Sequence, residues 1–358
     1  MSSTPEITEV LSLISQPAFF VLDDQISECN DAALRLLIAP GTAISNYIPY
    51  ESLEYDTFKN GCLILPLQIN HRTSSATVTL LGNGRLFVLD AEDHAAELKT
   101  LSLTAENMRQ PLSAMIASSN SLSHLLDENQ DPKVSEHMQQ FNRNLYQMHR
   151  MLCNMSDVIQ YADGVSKYMV CQNIVSLAEA IFQKVQTLAA HCGLKLEYSV
   201  PDESILCTID EQLLERGILN MISNAIKFSE KGGTIHASLF LRGKTAYISV
   251  TDHGPGIPAP LMGSVFHRYR RQPGLEDGRY GLGLGLTLVR SAAIVHGGTV
   301  LIDRPNQAGT RITISIPIRQ GDALLRSDRV TIDYAGGWDH ALLELSDVLP
   351  ANLYQMKN

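Results

Sequence analysis

The amino-acid sequence predicts an α+β protein with several domains, in which a long helical hairpin separates two regions of mixed strands and helices. Its 358 residues are enough for two or three domains of about 100–150 residues each. Apolar residues follow two sustained heptad patterns in the middle of the chain, and short runs typical of strands flank them. A hydrophobic content of 44% and a charged content of 18% are those of an ordinary folded protein.

Charge, hydropathy and cysteine spacing exclude several classes of function. The net charge of -10 argues against a nucleic-acid-binding surface and against a basic patch for anionic lipid. There is neither a charged and apolar leader nor an apolar run of about 18 residues, so we expect no signal peptide and no membrane span. The six cysteines are never closer than 15 positions, which indicates reduced thiols rather than a redox or zinc motif. These features predict a soluble, cytoplasmic protein.

Residues 1–93 form the first predicted domain. A helix begins near Asn30-Asp31-Ala32-Ala33, and strands are expected before and after it, at residues 17–22, 61–69, 76–81 and 85–89, with a tight turn at Gly82-Asn83-Gly84. The order of a strand, an Asn-x-Ala-Ala-x-x-Leu-Leu helix and an antiparallel return resembles a PAS sensor domain. A plain dimerising α+β module is the alternative. The residues specify neither flavin nor haem, so a small apolar ligand, a protein partner or no ligand all remain open.

Residues 94–163 carry the heptad patterns and form the second predicted domain. The first seam advances by alternating steps of three and four residues through Leu98, Leu101, Ala105, Met108, Leu112, Met115, Ser119, Leu122 and Leu126. After the polar break Asp127–Pro132, a second seam of the same kind runs through Val134, Met138, Phe141, Leu145, Met148, Leu152, Met155 and Ile159. Because one antiparallel hairpin leaves most of its seam uncovered, we expect two copies to pair as a homodimeric four-helix bundle.

Residues 168–318 form the third predicted domain, a layer of helices on one face of a mixed sheet. Its central helix begins at an Asp210 cap and carries one polar stripe, Asn220, Asn224 and Lys227, on an otherwise apolar rod. Burying these groups without partners would cost about 1–3 kcal/mol for each. A phosphate chain with its Mg²⁺ would satisfy all three, and a solvated helix face is the alternative.

Three glycine-containing segments follow this helix. In Asp252-x-Gly254-x-Gly256 the carboxylate ends a strand, where it can accept a hydrogen bond from an exocyclic amine and so distinguish adenine from guanine. Gly281-x-Gly283-x-Gly285 opens a helix, whose N–H groups and dipole can receive phosphates. Gly309-Thr310 begins the last strand. Each segment alone is ordinary turn chemistry, but their order on strand ends and helix starts favours a nucleotide site.

Together these segments resemble the ATP-binding domain of sensor histidine kinases, within the gyrase, Hsp90, histidine kinase and MutL (GHKL) class of ATPases. Asn220-x-x-x-Asn224-Ala-x-Lys227-Phe228 is similar to the N box, and Asp252-x-Gly254-x-Gly256 to the first glycine box. Phe266-His-Arg-Tyr269 is similar to the F box, and Gly281-x-Gly283-x-Gly285 to the second glycine box. The resemblance implies an α/β sandwich that binds ATP and Mg²⁺.

The resemblance also implies roles for single residues. Asn224 would ligate Mg²⁺, Asp252 would bind the adenine N6 amine, and Lys227 and the second glycine box would contact the phosphates; Gly254, Gly256, Phe266 and Thr310 would complete the pocket. Asn220 stands where hydrolytic members of the class have a water-activating glutamate. An amide cannot act as that base, so Asn220 favours transfer of the γ-phosphate to a protein over hydrolysis. Arg268, Arg270 and Arg271 precede the second glycine box as phosphate contacts or as solvated charges.

The hairpin departs from the family at the phosphoacceptor position. The family pattern is His-Glu-x-x-Thr-Pro-Leu, whereas this chain has Glu106-Asn107-Met108-Arg109-Gln110-Pro111-Leu112. Pro111 and Leu112 agree with the pattern. Glu106 replaces the acceptor histidine and Asn107 replaces its carboxylate base, so nucleophile and base are both missing.

Four interpretations of this departure are open, in decreasing order of preference. The chain binds ATP without autophosphorylation and signals by conformation, as a pseudokinase. It phosphorylates another histidine, although each candidate is more readily a solvated helix residue: His94, His124, His137 or His149. It transfers or removes phosphate on a partner, with Gln110 positioning water. Glu106 itself forms a labile acyl phosphate, which ranks last because a carboxylate is a weaker nucleophile.

Residues 319–358 extend beyond the family domain. We expect a strand at 329–333 and an amphipathic helix from an Asp339 cap to Leu349, preceded by the single tryptophan, Trp338. A helix this apolar requires a groove, preferably on its own ATP-binding domain and otherwise on a partner.

The whole sequence predicts a cytoplasmic, homodimeric sensor of the two-component type that binds Mg·ATP. Its expected partner is a response regulator or another histidine kinase. The alternative is a non-enzymatic, ATP-gated pseudokinase scaffold for such a partner.

Overall fold

The computed structural model describes residues 7–48, 53–70, 72–89, 95–126, 132–161, 164–166, 168–258, 284–305, 309–319 and 333–355. The α-helices are α1 (Ile7–Ser12), α2 (Asp31–Arg35), α3 (Leu53–Thr57), α4 (Ala95–Leu126), α5 (Pro132–Gln160), α6 (Ile174–Ala190), α7 (Glu211–Phe228), α8 (Gly285–Val295) and α9 (His340–Glu344). The strands are β1 (Ala18–Leu22), β2 (Gln25–Cys29), β3 (Cys62–Ile69), β4 (Arg72–Leu81), β5 (Gly84–Leu89), β6 (Val170–Asn173), β7 (Lys195–Ser199), β8 (Leu206–Ile209), β9 (Thr234–Arg242), β10 (Thr245–Asp252), β11 (Val300–Asp303) and β12 (Thr310–Pro317). The predicted α+β class is confirmed. Within the described residues, no helix combines the length and the apolar character needed to cross a membrane.

The N-terminal region is an antiparallel sheet in the order β2–β1–β5–β4–β3. Asn30 caps α2, because its side-chain oxygen accepts a hydrogen bond from the N–H of Ala33 at 3.0 Å. Four of the strands agree with the predicted ones, except that β4 begins at Arg72, four residues earlier than expected, and β2 was not predicted. The residues added at the start of β4 are polar, so the alternation of apolar side chains could not reveal them.

Helices α4 and α5 form the predicted hairpin. Only about half of the residues in each apolar seam are buried between the two helices. Ala105, Leu112 and Ser119 of α4 are buried, as are Leu145, Leu152 and Met155 of α5. The intervening seam residues are 36–47% exposed: Met108, Met115 and Leu122 on α4, and Val134, Phe141 and Met148 on α5. Each exposed set repeats every seven residues, so it forms one apolar stripe along its helix.

Helices α6, α7 and α8 pack on one face of the strands β7, β9, β10, β11 and β12, as predicted. On β10, Ala246, Ile248 and Val250 point into this core, whereas Tyr247 and Ser249 line the opposite face. Strands β6 and β8 form a separate two-stranded sheet before α7.

The sheets of the first and third predicted domains join edge to edge. Strand β3 pairs antiparallel with β11, through Cys62 with Ile302 and Ile64 with Val300, and the result is one ten-stranded sheet. At this junction the buried carboxylate of Glu54 accepts a hydrogen bond from the Thr299 hydroxyl at 2.8 Å. Local sequence patterns do not predict this pairing, because it joins residues more than 230 positions apart.

The C-terminal extension folds back on the hairpin and on α6 and α7, so the preferred prediction of docking on its own chain is confirmed. Asp339 caps α9 as predicted, accepting from the N–H of Leu342 at 3.0 Å. The helix ends at Glu344, however, and the prediction that it reaches Leu349 is wrong. The α-helical hydrogen-bond pattern ends there, because the N–H of Ser346 donates to the carbonyl of Leu343, three residues earlier, as in a 3₁₀ turn. Residues 329–332 of the expected strand lie outside the described residues.

Candidate nucleotide site

The polar stripe lies on α7, which is fixed at its start and along its length. Asp210 caps the helix by accepting from the N–H of Leu213 at 3.0 Å. Helix α8 approaches closely, since a Cβ added to Gly217 would lie 2.9 Å from the Cβ of Ala292. This close packing places the helix that follows the second glycine run directly against the helix that carries the stripe.

Asn224 and Lys227 occupy the second half of α7 and are half-buried. Among the described residues, Asn224 has no hydrogen-bond partner. The ammonium of Lys227 lies 5.4 Å from the centroid of the neighbouring Phe228 ring. The amide of Asn224 is therefore available to a ligand at the position where the sequence predicts Mg²⁺.

Asp252 ends β10 and is 6% exposed. Its Oδ1 accepts hydrogen bonds from the N–H groups of Gly254 at 2.9 Å and Thr310 at 3.2 Å. Burial raises the pKa of this carboxyl, although the two N–H groups act in the opposite direction. The other carboxylate oxygen accepts no hydrogen bond from the described part of the chain, so an acceptor remains for an exocyclic amine.

Glycines hold Asp252 between the end of α7 and the start of β12. A Cβ on Gly254 would lie 2.3 Å from the carbonyl oxygen of Phe228, and a Cβ on Gly309 would lie 2.1 Å from that of Asp252. Gly309 also has a φ of +72°, which favours glycine. Gly256 likewise has a positive φ, of +73°. At the first glycine box, the backbone therefore lies in close contact with the end of α7 and with the start of β12.

Of the second glycine box, the structure describes only Gly285, together with the preceding Leu284. A Cβ on Gly285 would lie 2.8 Å from Oδ1 of Asn220, so the first turn of α8 rests against α7. In that turn, the hydroxyl of Thr287 is buried and has no hydrogen-bond partner among the described residues. An orphaned hydroxyl near a helix N-terminus is a group that a phosphate oxygen can satisfy. Gly281, Gly283, Phe266, Arg268, Arg270 and Arg271 lie outside the described residues.

Asn220 differs from the other two residues of the stripe, because protein groups satisfy its amide. It is 1% exposed. Its Oδ1 accepts from Nη2 of Arg150 at 2.9 Å. Its Nδ2 donates to the carbonyl of Arg216 at 2.9 Å and to Oε2 of Glu344 at 3.1 Å. The structure therefore places Asn220 in a buried contact with the hairpin and the C-terminal extension, away from the solvent-accessible part of the stripe.

The three residues at the acceptor position, Glu106, Asn107 and Gln110, are all exposed on α4. The side chain of Glu106 is 79% exposed, and its Oε2 lies 3.9 Å from Nε of Arg109. Ala105, next in sequence, belongs to the same buried cluster as Leu284. The end of the second glycine run thus packs in the core of the hairpin.

The alternative histidines differ in their surroundings. His137 is exposed on α5. His149 is half-buried, and its ring lies 5.0 Å from that of Trp338 in the extension. Its Nδ1 is buried without a partner in the described part of the chain, and burial lowers the pKa of the ring. His94 and the side chain of His124 lie outside the described residues.

Comparison with known proteins agrees with this site. Residues 209–320 match the family described as histidine kinase-, DNA gyrase B-, and HSP90-like ATPase. Hybrid signal transduction histidine kinase D of Dictyostelium discoideum is 30% identical over 233 residues, which cover 62% of this chain and 15% of that protein. The adaptive-response sensory kinase SasA of Crocosphaera subtropica is 29% identical over 241 residues, covering 64% and 62% of the two chains. Full-length ShkA in complex with AMPPNP aligns at 20% identity and a TM-score of 0.48, covering 62% of this chain and 46% of that one.

The fold and the matched segment define an ATPase domain of the histidine kinase, gyrase B and HSP90 class. Outside this domain the chain resembles sensor histidine kinases of two-component systems, the class to which these curated relatives belong. It spans 15%, 62% and 19% of the first three curated relatives.

Proposed function

We propose that the chain binds Mg·ATP in the domain at 168–318 and signals to a partner, without autophosphorylation at position 106. One contrast carries this proposal. Asn224 and Asp252 keep polar atoms available for a metal and for adenine, whereas the hairpin presents a carboxylate at Glu106 and an amide at Asn107. The site retains the means to bind the phosphate donor and lacks its usual acceptor.

The described residues fit Mg·ATP. Asp252 offers an acceptor to the adenine amine, and the orphaned hydroxyl of Thr287 offers a donor to a phosphate. Asn224 offers an amide oxygen, the ligand type that Mg²⁺ prefers. No group of three or more His, Cys, Asp or Glu side chains is arranged for a metal within the described residues. A bound Mg²⁺ would complete its coordination with phosphate oxygens and water. Bound Mg·ATP would supply an electrophilic γ-phosphate.

Position 106 is poorly suited to receive that phosphate. An acyl phosphate would form if a carboxylate oxygen of Glu106 attacked the γ-phosphorus and the bond to ADP broke, but a carboxylate is a weak nucleophile. Asn107 has no basic group to accept a proton. Among the alternative acceptors, His149 is covered by Trp338 of the extension, and His137 is exposed but far along the sequence from the acceptor position.

We infer that two copies pair through the hairpin. The exposed stripes of α4 and α5 leave six large apolar side chains uncovered at seven-residue spacing. Pairing two hairpins would bury both stripes in a four-helix bundle. The antiparallel N-terminal sheet supports a PAS-like sensor role for residues 1–93, and a response regulator or another histidine kinase is the proposed partner.

Binding of Mg·ATP is tested with Asn224→Ala. We expect at least a tenfold loss of affinity by calorimetry, corresponding to about 1.4 kcal/mol or more, because the variant removes the proposed metal ligand. Asn144→Ala is the matched control, since Asn144 is an exposed hairpin amide that bonds only Gln140 among the described residues. An unchanged affinity in Asn224→Ala would contradict the proposed site.

Incubation with ATP labelled at the γ-phosphate tests transfer. We expect saturable binding without label on the chain, because the acceptor position lacks nucleophile and base. That result, together with no transfer to a response regulator, would favour the non-enzymatic scaffold. Acid-labile label that disappears in His137→Gln would instead identify a different acceptor and contradict the absence of autophosphorylation.

A further inference from the structure

Seven polar side chains from three parts of the chain meet in one largely buried cluster, which we call the latch cluster. The hairpin helix α5, the ATPase helix α7 and the C-terminal extension each contribute to it. Its members are Arg150, Asn154 and Asp157 from α5, Arg216 and Asn220 from α7, and Glu344 and Asp347 from the extension. None of these contacts belongs to the described nucleotide pocket around Asp252.

Glu344 is the centre of the latch cluster. It is fully buried. Its Oε1 lies 2.7 Å from Nε of Arg216, and its Oε2 lies 3.2 Å from Nε of Arg150. Oε2 also accepts the hydrogen bond from Nδ2 of Asn220. One carboxylate of the extension therefore bridges a guanidinium of the hairpin and a guanidinium of the ATPase domain.

The two arginines are almost as deeply buried as Glu344. The side chain of Arg150 is 8% exposed and that of Arg216 is 1% exposed. Arg150 also pairs with Asp347 at 2.7 Å. Arg216 donates to Asn154 at 2.6 Å, pairs with Asp157, and lies with its guanidinium 4.4 Å from the ring centroid of Tyr334. Without Glu344, among the described carboxylates Arg150 would keep only Asp347 and Arg216 only Asp157, so two buried like charges at the boundary between hairpin and ATPase domain would lose their shared carboxylate.

The rest of the extension follows the hairpin. Arg143 of α5 donates to the carbonyls of Ser346 and Asp347 at 3.1 and 3.0 Å. The side chain of Asn142, also on α5, donates to the carbonyl of Tyr354 near the C-terminus at 3.1 Å. The ring of Tyr146 lies 4.1 Å from that of Trp338. These contacts run along one side of α5, so the extension covers a continuous strip of the hairpin.

We propose that residues 333–355 form a latch that fastens the ATPase domain to the hairpin, with the Glu344 carboxylate bridging Arg150 and Arg216. With the latch closed, α7 and α5 are held in one relative position. Release of the latch removes Glu344 and Asp347 together, so Arg150 loses both of its described carboxylate partners and Arg216 keeps only Asp157. The ATPase domain is then held less firmly and can move along the hairpin. The consequence for signalling rests on the proposed function, because it assumes that the ATPase domain must move to present ATP to an acceptor or a partner.

A catalytic role for Glu344 does not fit these surroundings. A general base needs access to the proton that it removes, and Glu344 is fully buried. Burial alone would raise the pKa of its carboxyl, but the guanidiniums of Arg216 and Arg150 outweigh burial and hold the pKa below its usual range. Glu344 is therefore a poor base and a strong ionic partner.

The chain carries a native probe for the latch in Cys153. This thiol is 7% exposed, and its Sγ lies 3.5 Å from the carbonyl oxygen of Tyr334 at the start of the latch. Burial raises the pKa of Cys153 to about 11, so the covered thiol is nearly unreactive. Cys62 and Cys207 are fully buried in the junction of the sheets and in β8, and they report global unfolding instead.

The test measures the alkylation rate of each cysteine by mass spectrometry, in the full chain without nucleotide. The variants are Glu344→Gln, which removes the bridging charge at nearly constant volume, and Glu203→Gln, a control at an exposed position. We expect Cys153 to react at least tenfold faster in Glu344→Gln than in the wild type, with Cys62 and Cys207 unchanged. Glu203→Gln should leave all three rates at the wild-type values.

Two results would overturn the proposal. If Cys153 reacts no faster in Glu344→Gln than in the control, the carboxylate does not hold the extension. If Cys62 and Cys207 accelerate together with Cys153, the extension is a part of the global fold rather than a separable latch. Since nucleotide is absent, either result is independent of whether Asn224 and Asp252 bind Mg·ATP.

Discussion

His340 should make the docking of the extension sensitive to alkaline pH. Its Nδ1 lies 2.6 Å from Oε2 of Glu215 on α7, and its Nε2 lies 2.8 Å from Oδ1 of Asp333 in the extension. The hydrogen bond to Glu215, against the opposing effect of burial, raises the pKa of His340 to about 9. The imidazolium is therefore a charged bridge between the ATPase domain and the extension at neutral pH.

The sign and size of the effect follow from this pKa. Because the folded-state pKa lies above the unfolded value of about 6.5, the stabilisation is complete below about pH 6.5 and is lost as the pH rises through about 9. The full difference between the two pKa values corresponds to ~3 kcal/mol. The ring is 26% exposed, so solvent screening reduces the expected contribution to about 1–2 kcal/mol.

The assay is urea unfolding of the wild type and of His340→Gln at pH 6 and pH 9.5, at one protein concentration. We expect the wild type to exceed the variant in unfolding free energy at pH 6, and the difference to shrink by about 1–2 kcal/mol at pH 9.5. His236→Gln is the control, because His236 also lies near a glutamate, at 3.5 Å from Glu197, but is 50% exposed. A difference between wild type and His340→Gln that is the same at both pH values would refute the reasoning.

Two further predictions concern the junction of the sheets and the hairpin surface. In Gly61→Ala, the new Cβ would lie 1.9 Å from the carbonyl oxygen of Ile302, so we expect a loss of about 2–4 kcal/mol in urea unfolding. Gly41→Ala shares the positive φ but meets nothing within 4 Å, so it should lose only about 1 kcal/mol, and equal losses would contradict the junction. Met115→Glu should convert a dimer to a monomer in sedimentation velocity, because it places a charge in the proposed bundle, whereas Leu13→Glu should not. A wild-type monomer, or a dimer that survives Met115→Glu, would contradict the pairing.

Much of the local structure could be predicted because it depends on neighbouring residues. Asp210 and Asp339 cap their helices by bonding to the N–H three residues later, a geometry that the sequence spacing already contains. Asp252 and Gly254 form their predicted loop for the same reason, since Oδ1 of Asp252 accepts from the N–H of Gly254. The heptad spacing likewise determined the hairpin.

The latch cluster could not be predicted in this way, because its members come from distant parts of the chain. Arg150 lies outside the apolar seam of its heptad helix, where no local pattern predicts burial, and Asn220 belongs to a polar stripe that the sequence predicted to contact phosphate. A local signal did exist: Glu344 stands between Leu343 and Leu345 in an apolar segment, and Arg216 lies near Leu213, Leu214 and Ile218. A charge flanked by buried positions needs a buried partner. The identity of that partner requires the fold.

The ten-stranded sheet also sets the order in which this chain can complete its structure during synthesis. The β3 edge leaves the ribosome more than 230 residues before the β11 residues that pair with it. At synthesis rates of about 5–20 residues per second, that edge stays unpaired by its native partner for roughly 10–50 s. During this interval the N-terminal sheet carries an open edge that another chain could pair with. The exposed β3 edge of the N-terminal domain is therefore covered by its native partner, β11, only after most of the ATPase domain has been synthesised.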